Sequence, residues 1–153
     1  MSILKKITTI LFILCITGVS NAYPEAWGQI NFSYISINDG LSQSTVFSIA
    51  QDKLGNMWFA TVEGVIKYDF QTGESLHYTV KTGMPSNVAF RILPDENENL
   101  WISTANGLVS LETETGKITT YTESHGLITR QFNDNSAFKD NEGTFFFGSV
   151  KGF

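Results

Sequence analysis

The sequence has almost no cysteine: Cys15 is the single one among 153 residues. It sits inside a short apolar stretch, Ile7 to Val19, which follows Lys5 and Lys6 and precedes Ser20, Asn21 and Ala22. A positive start, a short apolar core and small residues at −3 and −1 predict a secretory signal over residues 1–22, cleaved before Tyr23. The residue before Cys15 is Leu14, not the small residue that a lipoprotein site wants. The mature chain then has no cysteine, which excludes disulfides, a thiol nucleophile and a cysteine-based metal site. A long hydrophobic run is also missing. Thirteen residues are too few to span a bilayer comfortably, so an exported, periplasmic protein is expected, with an uncleaved anchor as the plainer alternative.

Positive charge is scarce. Ten Lys and Arg stand against 15 Asp and Glu, a net charge of −5, and without Lys5 and Lys6 the remainder reaches −7. That sign disfavours nucleic acid and anionic membrane surfaces as partners. Histidine is limited to His77 and His125, and no Ser, His and acid combination stands at a recognisable spacing, so nucleophilic catalysis has no basis in the sequence. No helical period occurs outside the signal. What is abundant is apolar and aromatic side chain, 42% and 13% of the chain, which suits a packed globular protein.

The chain also repeats itself. Trp58 and Trp101 lie 43 residues apart, as do Gly64 and Gly107, and Gly73 and Gly116. This period sets the boundaries: a segment over 23–39, repeat 1 over 40–82, repeat 2 over 83–125, and a shortened repeat 3 over 126–153. Within repeat 1, strands are predicted over Val46 to Ala50, with Phe47 and Ile49 on one side, and over Met57 to Thr61, Val65 to Asp69 and Leu76 to Thr79. Turns at Asp52 to Asn56, Glu63-Gly64 and Thr72-Gly73-Glu74 separate them. Repeat 2 places Phe90 and Ile92 on a first strand, then Leu100 to Thr104, Leu108 to Leu111 and Ile118 to Thr122. Short strands between turn signals every eight to twelve residues indicate an all-β array. Four strands per unit of this length is the metric of a β-propeller blade, an antiparallel four-stranded sheet. Trp58 and Trp101 then wedge between adjacent blades, together with Met57, Phe59, Leu100 and Ile102.

Both ends of the array are informative. Ile30 to Asn38 resembles the end of a unit, with Tyr34 six residues before Gly40, where Tyr78 and Tyr121 stand five before Gly83 and Gly126. It is expected to be a blade-closing outer strand. The third copy carries Gly143 to Ser149 in place of the tryptophan strand, and its third and fourth strands are missing. About two and a half blades make an incomplete propeller with exposed sheet faces and edges. A fragment of a longer protein is expected, or else an association of several copies.

The residues that recur in phase point to a family. Asp39-Gly40-Leu41-Ser42, Ile49-Ala50-Gln51-Asp52, Gly55 to Thr61 with Gly64, and Tyr68-Asp69 with Thr72-Gly73 resemble the two-component regulator propeller repeat. The second copy matches through Gly83-Met84, Ile92, Asp95, Asn99 to Thr104, Gly107-Leu108 and Thr115-Gly116. It departs at Glu98, where the family usually has Gly, and at Ser110-Leu111-Glu112, where Tyr-Asp is common. Gln131-Phe132-Asn133 through Gly152-Phe153 is similar to the variant repeat that closes such arrays. The resemblance implies a periplasmic, non-catalytic sensor region of a membrane-bound signalling protein, with further blades and an output beyond it. That output is commonly a histidine kinase, often a hybrid one, and in some proteins a diguanylate cyclase. It also implies an oligosaccharide or other small ligand and a homodimer, but no cofactor. Two other readings remain: an enzyme such as a lyase or hydrolase on a propeller, which clustered acidic or His residues on the mouth loops would favour and which the sequence lacks, and a passive interaction scaffold.

A propeller of this kind would bind its ligand on the loops entering the first strands and joining the second to the third: Ser42 to Thr45, Pro85 to Asn87, Ile128 to Gln131, Val62-Glu63 and Ala105-Asn106. Gln43, Asn87, Arg91, Arg130 and Gln131 carry donors suited to sugar hydroxyls there; against this, such polar residues also satisfy turn backbone. Asp95 to Asn99 has the opening spacing of a calcium loop, but Leu100 stands where such a loop needs Gly, so a plain turn and no metal is expected. Asp140 to Gly143 reads the same way.

Overall fold

The computed structural model describes residues 31–153, so the signal segment lies outside the described residues. The ten strands described here all lie within the compact unit Ile35–Phe153. They are β1 Val46–Gln51, β2 Met57–Thr61, β3 Gly64–Tyr68, β4 Ser75–Tyr78, β5 Ala89–Pro94, β6 Asn99–Thr104, β7 Gly107–Glu112, β8 Ile118–Tyr121, β9 Phe132–Lys139 and β10 Phe145–Ser149. They form two antiparallel four-stranded sheets, β1-β2-β3-β4 and β5-β6-β7-β8, and the two-stranded pair β10-β9. The all-β blade architecture expected from the period is the one observed. First strands lie beside first strands, β1 against β5 and β5 against β9, so the sheets stack around a common side.

Each unit opens on a single 3-10 turn that periodicity did not show: Ile37–Asp39, Val80–Thr82 and Glu123–His125. The residue before each turn is Ser36, Thr79 or Thr122. The last residue of the turn reaches back to it, through Asp39 Oδ2 (2.8 Å), Thr82 Oγ1 (2.8 Å) or His125 Nδ1 (3.3 Å), each accepting from the cap backbone N–H. Asp, Thr and His thus do one job, so no residue identity marks it. A left-handed Gly40, Gly83 or Gly126 ends each turn. This phase puts Ile35, not Tyr34, at the place of Tyr78 and Tyr121. Residues 31–36 form no strand; among the described residues a lone outer strand has no sheet to join.

The hairpins between first and second strands are held by one carboxylate each. Asp52 accepts from the backbone N–H of Leu54 (3.1 Å) and Asn56 (2.9 Å), from Asn56 Nδ2 (2.9 Å) and from Trp58 Nε1 (2.9 Å). Asp95 repeats this with Asn97, Asn99 and Trp101, whose Nε1 donates over 3.1 Å. Burial alone would raise the Asp95 carboxyl, but the donors from Asn99, Trp101 and Asn97 outweigh it and hold the group below the ordinary carboxylate range. The calcium-like spacing is therefore the spacing of this turn, with the oxygens already engaged by N–H groups. In the third unit Asp140 accepts from Glu142 and Thr144, and Phe146 stands in the tryptophan position.

The core lies between the first two sheets. Trp58 is fully buried among Tyr78, Met84, Ala89, Leu100, Val109 and Leu111, with its ring 5.5 Å from that of Tyr78. Met57 and Phe59 pack on the other face of the first sheet with Leu41 and Ile66, so only alternate residues of β2 reach the junction. The predicted alternation of β1 is interrupted by a bulge between Val46 and Ser48; Ser48 is buried while Ile49 is 58% exposed. β9 is two residues longer than β1 and β5, with Asn135 left-handed. Among the described residues no helix is long and apolar enough to cross a membrane.

Candidate functional site

The loops singled out as a mouth do share one end of the sheets. Asn106 Nδ2 donates to Pro85 O (3.1 Å) and the Ala105 N–H to Val88 O (3.1 Å), tying the β6–β7 turn to the loop that enters β5. The Gly107 N–H donates to Arg130 O (2.7 Å), linking the second unit to the third at the same end. Thr61 and Thr104 close the turns by donating to Gly64 O and Gly107 O over 3.0 and 2.7 Å. Gly64 is required there: it holds φ 121°, and an added Cβ would strike the Tyr78 carbonyl oxygen. Phe47 and Phe90 from the adjacent first strands face each other below the loops, with ring centroids 6.0 Å apart.

The five proposed donors fare differently. Gln43 Oε1 accepts from the Ser44 N–H at 2.6 Å. Asn87 Oδ1 accepts from the Val80 N–H at 2.9 Å, bracing the 3-10 turn. Arg130 is ion-paired with Glu123 at 2.9 Å, which raises the guanidinium and lowers the carboxyl. Gln131 is exposed, and its backbone oxygen accepts from the Val150 N–H at 3.2 Å. Arg91 alone of the five has a buried donor, Nε, with no partner. It stands opposite Ser103 in the β5–β6 register, and Ser103 Oγ, in a residue only 2% exposed, is also without a partner. In the first sheet the same pair is Ser48 and Ala60, and Ser48 Oγ accepts from the Ile92 N–H of the next sheet at 3.1 Å. Sequence reasoning named Arg91 but not Ser103, whose equivalence to Ala60 is visible only in the alignment of the two repeats.

The other end of the sheets is charged. Lys53 pairs with Glu98 at 2.8 Å and donates to Glu96 O at 2.9 Å. From the third unit, Lys139 pairs with Glu96 at 2.6 Å. Glu98 itself sits at φ 66°, where the equivalent Gly55 has 90° and Gly143 has 87°. The departure from Gly noted in the sequence thus places a left-handed Glu whose carboxylate ties two sheets together. His77 and His125 make local bonds only: His77 with Ser75 Oγ at 3.2 Å, His125 with its own turn. Among the described residues no group of three or more His, Cys, Asp or Glu comes together.

The sheets, the in-phase turns and the tryptophan wedges define a β-propeller region. The family model described as "Two component regulator propeller" matches residues 40–63 and 83–106, the opening stretches of the first two units. The extracellular domain of the hybrid two component system BT3049 from B. thetaiotaomicron is similar, with 28% identity and a TM-score of 0.70 over 77% of this chain. That of BT4673 from the same organism has 26% identity and a TM-score of 0.59 over 72%. A curated relative, Histidine kinase P4 of Formosa agariphila, is 48% identical over 44 residues, 28% of this chain. The chain spans 3% of that relative's length and 16% of each of the two solved chains.

Proposed function

We propose that this chain is the periplasmic, ligand-sensing propeller region of a two-component signal transduction protein and acts by binding, not catalysis. The carrying observation is the likeness to extracellular domains of hybrid two component systems, at 28% and 26% identity, over a chain that begins with a predicted export signal. A histidine kinase output is favoured over a diguanylate cyclase because the curated relative is described as a histidine kinase. The ligand is an oligosaccharide or other small molecule, held at the loop end where Arg91 and Ser103 keep unpartnered polar atoms. Gln43, Asn87 and Arg130 serve that end chiefly by shaping its loops, since their side chains are engaged locally. Ligand binding, on this reading, shifts the placement of propellers in a homodimer and so biases an output across the membrane. Further blades complete the propeller.

The test is a thermal-shift screen of the chain against neutral and acidic oligosaccharides, repeated with Arg91→Ala. A saturable rise in Tm that Arg91→Ala weakens at least tenfold in apparent affinity supports the reading. Turnover of any tested sugar, or a response identical in the variant, refutes binding at this end.

A further inference from the structure

The first strand of each unit carries a bulge at the same place, and the third bulge differs in kind. In the first sheet Val46 pairs with Thr61 and Ser48 with Ala60, so Phe47 alone is bulged. In the second, Ala89 pairs with Thr104 and Arg91 with Ser103, which leaves Phe90. These two rings face each other at 6.0 Å. In the third, Phe132 pairs with Ser149 and Ala137 with Phe147, so residues 133–136 stand against Gly148 alone. A Cβ added at Gly148 would lie 2.8 Å from the Ser136 Cβ. Ser136 therefore takes the place of Ser48 and Arg91, and Asn133, Asp134 and Asn135 together take the place of one phenylalanine. All three are exposed, and Asn135 is left-handed at φ 51°. Ser136 Oγ closes the bulge by donating to Asp134 O over 3.0 Å. Because β9 pairs with β10 on both sides of it, the bulge belongs to the strand pair itself. Bulges of this kind re-aim side chains beside functional sites.

Arg91 adjoins the bulge, since β5 packs against β9. Its counterpart Ser48 reaches the next sheet and accepts from the Ile92 N–H at 3.1 Å. A guanidinium has donors only and cannot repeat that bond. Its Nε is buried without a partner, and so is Ser103 Oγ across the strand, in a residue 2% exposed. Lys53, Lys117, Arg130 and Lys139 each hold a carboxylate, whereas Arg91 pairs with none among the described residues.

We infer that the ligand of this end is a sugar acid. Its carboxylate pairs with the Arg91 guanidinium, whose planar fork matches it. Asn133, Asp134 and Asn135 bind the ring hydroxyls, which both donate and accept. Asp134 serves hydroxyl groups only, because it repels the carboxylate of the ligand. This names the ligand class of the sensing reading and rests on that reading. The net charge of −5 repels anions in general, so a preference for the acid has to originate at Arg91.

The test titrates the full chain calorimetrically with digalacturonate, its methyl ester and neutral digalactose at low salt. The acid is expected to bind about tenfold more tightly than the ester. Arg91→Gln should abolish that preference and Arg91→Lys should keep part of it, with melting curves checking that both variants fold. Asn135→Gly retains the left-handed turn but removes the amide, and should weaken acid and ester alike by about threefold. Equal affinity for acid and ester, or a preference that survives Arg91→Gln, overturns the inference while sensing of neutral sugars stands. Binding of none of the three also overturns it, and the wider oligosaccharide screen then decides the sensing reading separately.

Discussion

The two junctions of this molecule are built from one repeat and finish differently. At the first, Trp58 is fully buried, Ser48 bonds across to Ile92, and Lys53 ties the far end to Glu98. At the second, Trp101 is half-exposed beside a cavity, and Arg91 and Ser103 leave buried polar atoms unpartnered. The charged tie survives there as Lys139 with Glu96. The indoles have the same hydrogen bond to an aspartate in both places. What differs is the material beyond them, so the tryptophan motif specifies the hairpin, and the third and fourth strands of the next sheet make it a core.

The largest test of that contrast is truncation of the two indoles. Trp58→Ala is expected to cost about 4 kcal/mol, and Trp101→Ala roughly half as much, by urea denaturation. Equal losses would erase the distinction between the junctions. Next comes the glycine that opens each third strand. Gly64→Ala combines backbone strain with a collision against the Tyr78 carbonyl and is expected to cost roughly 3 kcal/mol. Gly152→Ala, at φ 108° with nothing near the added carbon, should cost about 1 kcal/mol from strain alone.

Acid is a finer probe. The Asp95 carboxyl lies below its ordinary value of 3.8 in the folded chain. Its contribution is therefore present in full above that value and is lost as pH falls through the lower folded one. A pH series of melting curves should show wild type losing stability below about pH 4, with a shallower loss in Asp95→Asn. A steeper loss in the variant would mean that the donors do not favour the charged form. The smallest effect belongs to Glu98→Gly. Relief of the left-handed strain, about 1 kcal/mol, should outweigh loss of an exposed Lys53 pair worth a few tenths, so the variant should melt slightly higher. A lower melting point would show that the Lys53 tie holds the first junction more strongly than its exposure suggests.

Strands and hairpin turns were legible because period-two burial and in-phase glycines are local signals; of the two tryptophan strands, β2 lies where the sequence placed it and β6 begins one residue earlier, at Asn99. The 3-10 turns were not, since Asp39, Thr82 and His125 perform one hydrogen-bonding task with three chemistries. The bulge in β1 was also hidden, because it depends on pairing across to β2 and not on the residues of β1. Around the mouth, Gln43, Asn87 and Arg130 were chosen for their donors. Whether such a side chain is free depends on a backbone group or carboxylate that folding brings near it, which spacing alone does not encode. Arg91 is the contrary case: its isolation comes from having Ser103, not a carboxylate, across the strand.

The aspartate, asparagine and indole that lock each hairpin lie within seven consecutive residues, Asp52 to Trp58 and Asp95 to Trp101. Such a lock needs nothing from neighbouring sheets. A gene segment encoding it can therefore be duplicated or deleted by recombination and still yield a correctly turned hairpin, leaving the size of the array free to vary.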